Sequence, residues 1–235
     1  GTWFALAAKT AFALAGLGAY LAIFSDVDPR HFALGMLGLM LVLNILGAGK
    51  VSGLQVGVVA LTLTALVVFV TGGLGSLEGA RLTPAFPRGA TGVIEGAAFV
   101  FVSYAGVTNV CSVAEEVRNP GRNVPRGMIA AQATVMILYF LVGLAITGNL
   151  DFHTIGEDVT PMATAAGSFL GPHGRIALAV VAVVGLISMC NAALLSSTRY
   201  PFAMARDDLL PGVLQRIHGG LGTPVLAILL TGALL

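Results

Sequence analysis

The sequence predicts an all-α membrane protein, a multi-pass helical bundle, and three observations carry that prediction. Of its 235 residues 57% are hydrophobic and only 10% charged, against roughly 25% charge in ordinary soluble domains. The mean hydropathy is +0.93, too high for surface helices that need polar faces. Charge-free stretches cover 32–49, 51–77, 96–114, 127–150 and 176–198, each near or above the roughly 18 residues that suggest a spanning helix.

The elements follow in order as a single transmembrane domain over 1–235, with spans expected at 3–24, 32–48, 52–73, 90–113, 127–148, 175–198 and 223–235. The first is apolar except for Lys9. Gly, Pro and short polar clusters separate the runs, as in 25–29, 72–87, 119–125 and 171–174. The longest connection, 149–174, reads as a loop with one short helix led by Pro161. The last span stops while still hydrophobic, and Gly1 is followed by no signal-peptide pattern. The sequence therefore reads as an internal piece whose last span is incomplete.

Charge excludes some functions and orients the chain. A formal net charge of +1 leaves no nucleic-acid footprint. With the first span running outward, one side receives Lys9, Lys50, Arg118, Arg122, Arg126, Arg199, Arg206 and Arg216. The other receives Arg30, Arg81, Arg88 and Arg175. Lys and Arg are retained on the cytoplasmic side, so the first set is expected inside. Cys111 and Cys190 fall within expected spans and read as small packing residues. His31, His153, His173 and His218 lie in or near expected loops without metal-ligand spacing. No metal or cofactor is expected.

The fourth span is the most informative. Ser103, Tyr104, Thr108 and Asn109 surround Gly106 at mid-depth, where polar side chains are costly and glycine weakens a helix. A break at 104–108 would free carbonyls for an ammonium group and N–H groups for a carboxylate, a pairing that fits a zwitterionic amino acid. From the residues alone the alternative stands: an unbroken helix whose Ser and Thr bond back to carbonyls and whose Gly packs against a neighbour.

The stretch Phe101-Val102-Ser103-Tyr104-Ala105-Gly106, followed by Glu115-Glu116-Val117-Arg118-Asn119-Pro120-Gly121-Arg122-Asn123-Val124-Pro125, resembles the amino acid–polyamine–organocation permease family. There an F-F-x-Y-x-G stretch marks the broken sixth helix, and an E-E-x-x-N-P-x-R-x-x-P loop follows it on the cytoplasmic side. Arg199-Tyr200-Pro201-Phe202-Ala203-Met204-Ala205-Arg206-Asp207 resembles the signature after the family's eighth helix, and the stretch from Asn44 to Gln55 resembles the loop before its fifth.

The resemblance implies helices three through nine of a leucine-transporter-type inverted-repeat fold with one discontinuous helix. Two groups of three spans with opposite starting directions would suit such halves. It further implies substrate contacts from Val102, Ser103, Tyr104, Ala105, Gly106, Val107 and Thr108, with Cys190 and Asn191 near the pocket. Glu115, Glu116, Arg118 and Arg122 would form an inner-gate or loop network; from charge alone they read as a solvated loop. Val107 stands where many members carry an aromatic gate residue, and Thr108 where many carry Asp, Glu or Asn. No lysine occurs in the third span, where some members place a proton-coupling one.

Two charges stay outside this set. Glu95 reads as interfacial, with a buried proton carrier as the alternative. Lys9 reads as snorkelling to the cytoplasmic surface, against a coupling role.

The expected function is secondary active transport of an amino acid or related amine by alternating access, in the cytoplasmic membrane, with the lipid bilayer as its surroundings. The coupling ion, proton or sodium, is left open. The alternative is a transport-incompetent piece or structural partner of a membrane assembly, since no Gly-rich broken first helix occurs. A membrane enzyme would need a nucleophile–base or carboxylate constellation, and the sequence offers none.

Overall fold

The computed structural model describes residues 2–25, 27–47, 52–86, 88–104, 117–219 and 221–235, with side chains left out at 2, 52–54, 102 and 103. Eight α-helices lie among these residues, with no strand: α1 (Thr2–Leu21), α2 (Pro29–Ile45), α3 (Ser52–Gly75), α4 (Gly89–Ser103), α5 (Pro120–Asn149), α6 (Phe152–Glu157), α7 (Pro161–Arg206) and α8 (Val225–Leu234). Only helices satisfy every backbone group within one segment, which is what a lipid environment demands. Trp3–Phe24, Gln55–Gly75, Pro120–Asn149 and Pro161–Arg206 are long and apolar enough to cross a membrane; Pro29–Ile45, Gly89–Phe101 and Val225–Leu234 are apolar but shorter. The chain is an all-α, multi-pass integral membrane protein.

Local chemistry sets the helix ends. Asp28 accepts from the Arg30 N–H at 2.8 Å and Pro29 opens α2, using the position where a missing N–H costs nothing. At the far end Gly47, with φ 76°, donates to the Asn44 carbonyl, and the Thr223 hydroxyl donates to the Ile45 carbonyl at 2.7 Å. A β-carbon would strain that left-handed Gly47. Before α7, Asp158 accepts from both the N–H and the hydroxyl of Thr160, and Pro161 leads the helix.

Several boundaries differ from the sequence reading. The 149–174 connection holds two helical pieces rather than one: α6, and the start of α7 at Pro161. The path of α7 breaks at Gly171 (φ 72°, ψ −173°), where the following Pro172 has no N–H to donate and disfavours a helical predecessor. The Asn-Pro-rich stretch is also not all loop. Asn119 takes a left-handed conformation and accepts from the N–H groups of Arg122 and Asn123, so α5 starts at Pro120 and carries Arg122 and Arg126 in its first turns. His31, His153 and His173 likewise lie within helices.

The chain divides into two compact units. In the first (Gly1–Leu63 with Ala179–Leu235), Ala13, Leu14 and Leu17 of α1 bury against Ala33, Met36 and Leu37 of α2 and against Val183, Leu186, Ile187 and Cys190 of α7. A Cβ on Gly18 would run into the Pro29 carbonyl, and one on Gly232 would stand 2.6 Å from Leu41. These small residues set how closely the helices approach. Trp3 Nε1 donates to Thr231 Oγ1 at 3.3 Å, joining α1 to α8.

In the second unit (Thr64–Leu178), Phe69 and Val70 of α3, Ala145 of α5, and Ala165, Ala166 and Leu178 form the core. Phe69 and Phe169 pack at 5.2 Å between ring centroids, tilted by 60°, a favoured aromatic arrangement. Around this core Val93, Ile94, Phe99, Phe101, Ile129, Ile137 and Phe140 are exposed. So many exposed apolar side chains are unfavourable in water and neutral in hydrocarbon.

Candidate functional site

The first unit holds an unusual polar pair in an apolar setting. Asn44, on the last turn of α2, is only 4% exposed. Its Nδ2 donates to the Met40 carbonyl at 2.9 Å and to Asn191 Oδ1 on α7 at 3.0 Å. Asn44 Oδ1 meets no donor among the described residues. Next to Asn191, Cys190 is a free thiol buried against α1 and α2. The structure thus brings the expected Asn191 together with Asn44, a residue outside the sequence-predicted set. The signal was present: after His31, Asn44 is the first strongly polar residue on α2, and such residues within membrane helices tend to carry function.

Farther along α7, Ser197 and Thr198 bond back to the carbonyls of Leu194 and Leu195. These bonds satisfy the hydroxyls without an outside partner. The helix closes at Arg206, and Asp208 turns left-handed (φ 56°) as the Leu209 N–H reaches the Met204 carbonyl.

In the second unit α4 ends at Ser103, and Tyr104 follows in 3-10 geometry. Tyr104 packs against Tyr139 of α5, with ring centroids 5.7 Å apart and the planes tilted by 49°; Tyr139 was not singled out from the sequence. Ala105, Gly106, Val107, Thr108, Glu115 and Glu116 lie outside the described residues, as do the side chains of Val102 and Ser103. Arg118 and Arg122 are exposed and form no ion pair among the described residues. Glu95 pairs with Arg88 at 3.0 Å, with both side chains about half exposed or more.

A denser polar cluster closes the same unit where α3 and α5 end. Arg81 Nε donates to Glu78 Oε2 at 2.7 Å, while its NH1 donates to Asp151 Oδ1 and to the Asn149 carbonyl, each at 3.2 Å. The hydrogen bond to Glu78, assisted by the charge of Asp151 and opposed by desolvation, holds the guanidinium pKa above its ordinary value. No group of three or more His, Cys, Asp or Glu among the described residues could hold a metal ion.

Comparison with known proteins adds what these contacts leave open. A family model described as amino acid permease matches residues 1–234. The chain belongs to the amino acid permease family. It is a member of the amino acid–polyamine–organocation superfamily, as its motifs led one to expect. A methylthioribose transporter of Bacillus subtilis (strain 168) is 34% identical over 176 residues, 74% of this chain and 38% of its own length. Cationic amino acid transporter 4, vacuolar, of Arabidopsis thaliana is 36% identical over 149 residues, 63% of this chain and 25% of its own. The branched-chain amino acid permease BcaP of Bacillus subtilis (strain 168) is 33% identical over 144 residues, 61% and 31% respectively. This permease chain therefore spans between 25% and 38% of the length of these relatives. The family and the relatives are permeases and transporters by name, not enzymes.

Proposed function

We propose that this permease chain provides part of a secondary transporter that moves an amino acid or a related small polar metabolite across a membrane by alternating access. The observation that carries the reading is the family match over residues 1–234. The apolar helices agree with it, and so does the Asn44–Asn191 pair between two of them, since polar groups within membrane helices tend to mark a solute path. The relatives' names span amino acids and methylthioribose, so the substrate class includes both.

Substrate-contacting residues are proposed in two stretches. One is 102–108, where an unwound segment around Gly106 would offer backbone N–H and carbonyl groups to a zwitterion within the leucine-transporter-type fold. The other is Cys190 with Asn191. Glu115, Glu116, Arg118 and Arg122 are proposed as the inner gate. The bacterial relatives and the Lys/Arg asymmetry favour the cytoplasmic membrane, with 199–222 inside; plant relatives carry vacuolar names.

The test is radiolabelled uptake into proteoliposomes by the full-length protein, with amino acids, amines and methylthioribose under proton and sodium gradients. Saturable uptake lost in Gly106→Leu supports the reading. Folded protein that takes up none of them overturns it and leaves a structural partner as the reading.

A further inference from the structure

The amide of Asn44 can sit only one way round. Its neighbour on α2, the Met40 carbonyl at 2.9 Å, is purely an acceptor, so the nitrogen of Asn44 must face it. The same nitrogen stands 3.0 Å from Asn191. Asn191 must therefore answer with its oxygen, since two N–H2 groups would repel. With its oxygen held toward Asn44, Asn191 turns its N–H2 end, with two donors free among the described residues, the other way. Asn191 is half-buried on α7, whereas Asn44 is sealed away.

Packing alone does not account for this arrangement. The α1–α2–α7 contacts nearby are made by Ala, Leu, Met, Val, Ile and Cys side chains, and an apolar residue at position 44 would suit them. Instead the fold keeps an amide whose Oδ1 is buried and meets no donor among the described residues. A half-satisfied buried amide is unfavourable and asks for a reason beyond stability.

We infer that Asn44 is a positioning residue that locks the Asn191 amide with its N–H2 end presented to the transported molecule, selecting neutral substrates that carry an acceptor oxygen over cationic ones. This rests on the transport reading above. An N–H2 group rewards a hydroxyl, carbonyl or amide oxygen on the substrate and opposes an ammonium or guanidinium, which brings only donors. The acceptor oxygen belongs either to an amino-acid side chain or to a sugar hydroxyl; of the relatives' names, the methylthioribose transporter fits the second source, and the cationic amino acid transporters name the class the inference disfavours.

The experiment measures uptake kinetics of the full-length protein in proteoliposomes for glutamine, serine, methylthioribose, arginine and lysine. The parent prefers glutamine and serine, or methylthioribose, over arginine by about tenfold or more in kcat/KM; which arm carries the preference identifies the source of the oxygen. In Asn44→Asp the carboxylate accepts from Asn191 Nδ2 and turns that amide around. The preference then shifts toward arginine by about tenfold, mainly in KM, with kcat within about threefold. On an Asn191→Ala background the same change moves the ratio by less than about twofold. Where Asn44→Asp does not yield monodisperse protein, Asn44→Leu, which suits an apolar helix, is read instead and erases much of the preference.

A parent that favours arginine, an unchanged ratio in the folded variant, or an equal shift without Asn191 overturns the inference while transport stands. A folded parent that transports nothing overturns both.

Discussion

Asn149 donates through Nδ2 to the carbonyl of Gly73 at 2.8 Å, fastening the last residue of α5 to the last turns of α3. The same nitrogen donates to the Ala145 carbonyl at 2.8 Å, and Asn149 Oδ1 accepts from the Ser76 hydroxyl at 2.8 Å. One side chain thereby satisfies groups on both helices, and the Glu78 N–H adds a bond to the Gly148 carbonyl at 3.1 Å. Replacing it with Ala removes the bonds to Gly73 and from Ser76 that join the two helices, while the Ser76 hydroxyl falls back on the Gly72 carbonyl at 3.1 Å within α3. Asn149→Ala is expected to cost about 1–3 kcal/mol and lower the melting temperature in detergent by several degrees. An unchanged melting temperature would remove this residue from the structural account.

Gly73 permits that closeness. A Cβ there would stand 2.7 Å from the Cβ of Ala145, which cannot rotate away, and 3.3 Å from the Phe169 ring. Gly73→Val is expected to destabilise by about 1–3 kcal/mol through overpacking. Gly75, with nothing within 4 Å of its Cβ position, supplies the control: Gly75→Val leaves the melting temperature nearly unchanged. Equal effects at the two sites would mean that helix propensity, not packing, governs both.

Arg81→Lys keeps the charge and loses the fork. A lysine cannot hold Glu78, Asp151 and the Asn149 carbonyl in the same geometry. Amide exchange across 149–158 is expected to quicken in the variant, and in the parent at high salt, since these ion pairs are solvent-screened. The guanidinium pKa is raised, so Arg81 stays charged and its share of these contacts is lost only as pH climbs beyond the ordinary arginine range. Exchange changes between pH 6 and 9 would therefore not come from Arg81.

Cys190 is 1% exposed. In a Cys111→Ser background a maleimide is expected to label it slowly in the folded protein and completely after denaturation. Rapid labelling of folded protein would mean that the α1–α2–α7 packing opens readily.

The long helices were legible because a lipid solvent leaves a strong mark: charge-free runs such as 51–77 and 127–150 leave little else for the chain to form. The motif around Arg118 to Pro125 named the family, yet its loop reading missed that the left-handed Asn119 gathers two N–H groups and starts a helix one residue later. That outcome depends on a backbone angle, which composition does not encode. Helix α6 escaped because six residues carry too little periodicity to register. Asn191 was reached by counting back from Arg206, whereas Asn44 was not, because partnership between residues 147 positions apart exists only once the helices pack.

The break at Gly171 also sets a scale of length. Unbroken, the 46 residues of α7 would extend about 69 Å, more than twice the ~30 Å of a hydrocarbon core. The turn frees 161–170 from that axis, and the remaining rod, about 52 Å long, still overshoots the lipid. Its surplus contains Arg199 and Arg206, whose guanidinium groups favour the headgroup layer. With Arg199 at that layer, Asn191 would lie about 12 Å deeper along the helix, and the two arginines would act as a float that sets the depth of the amide.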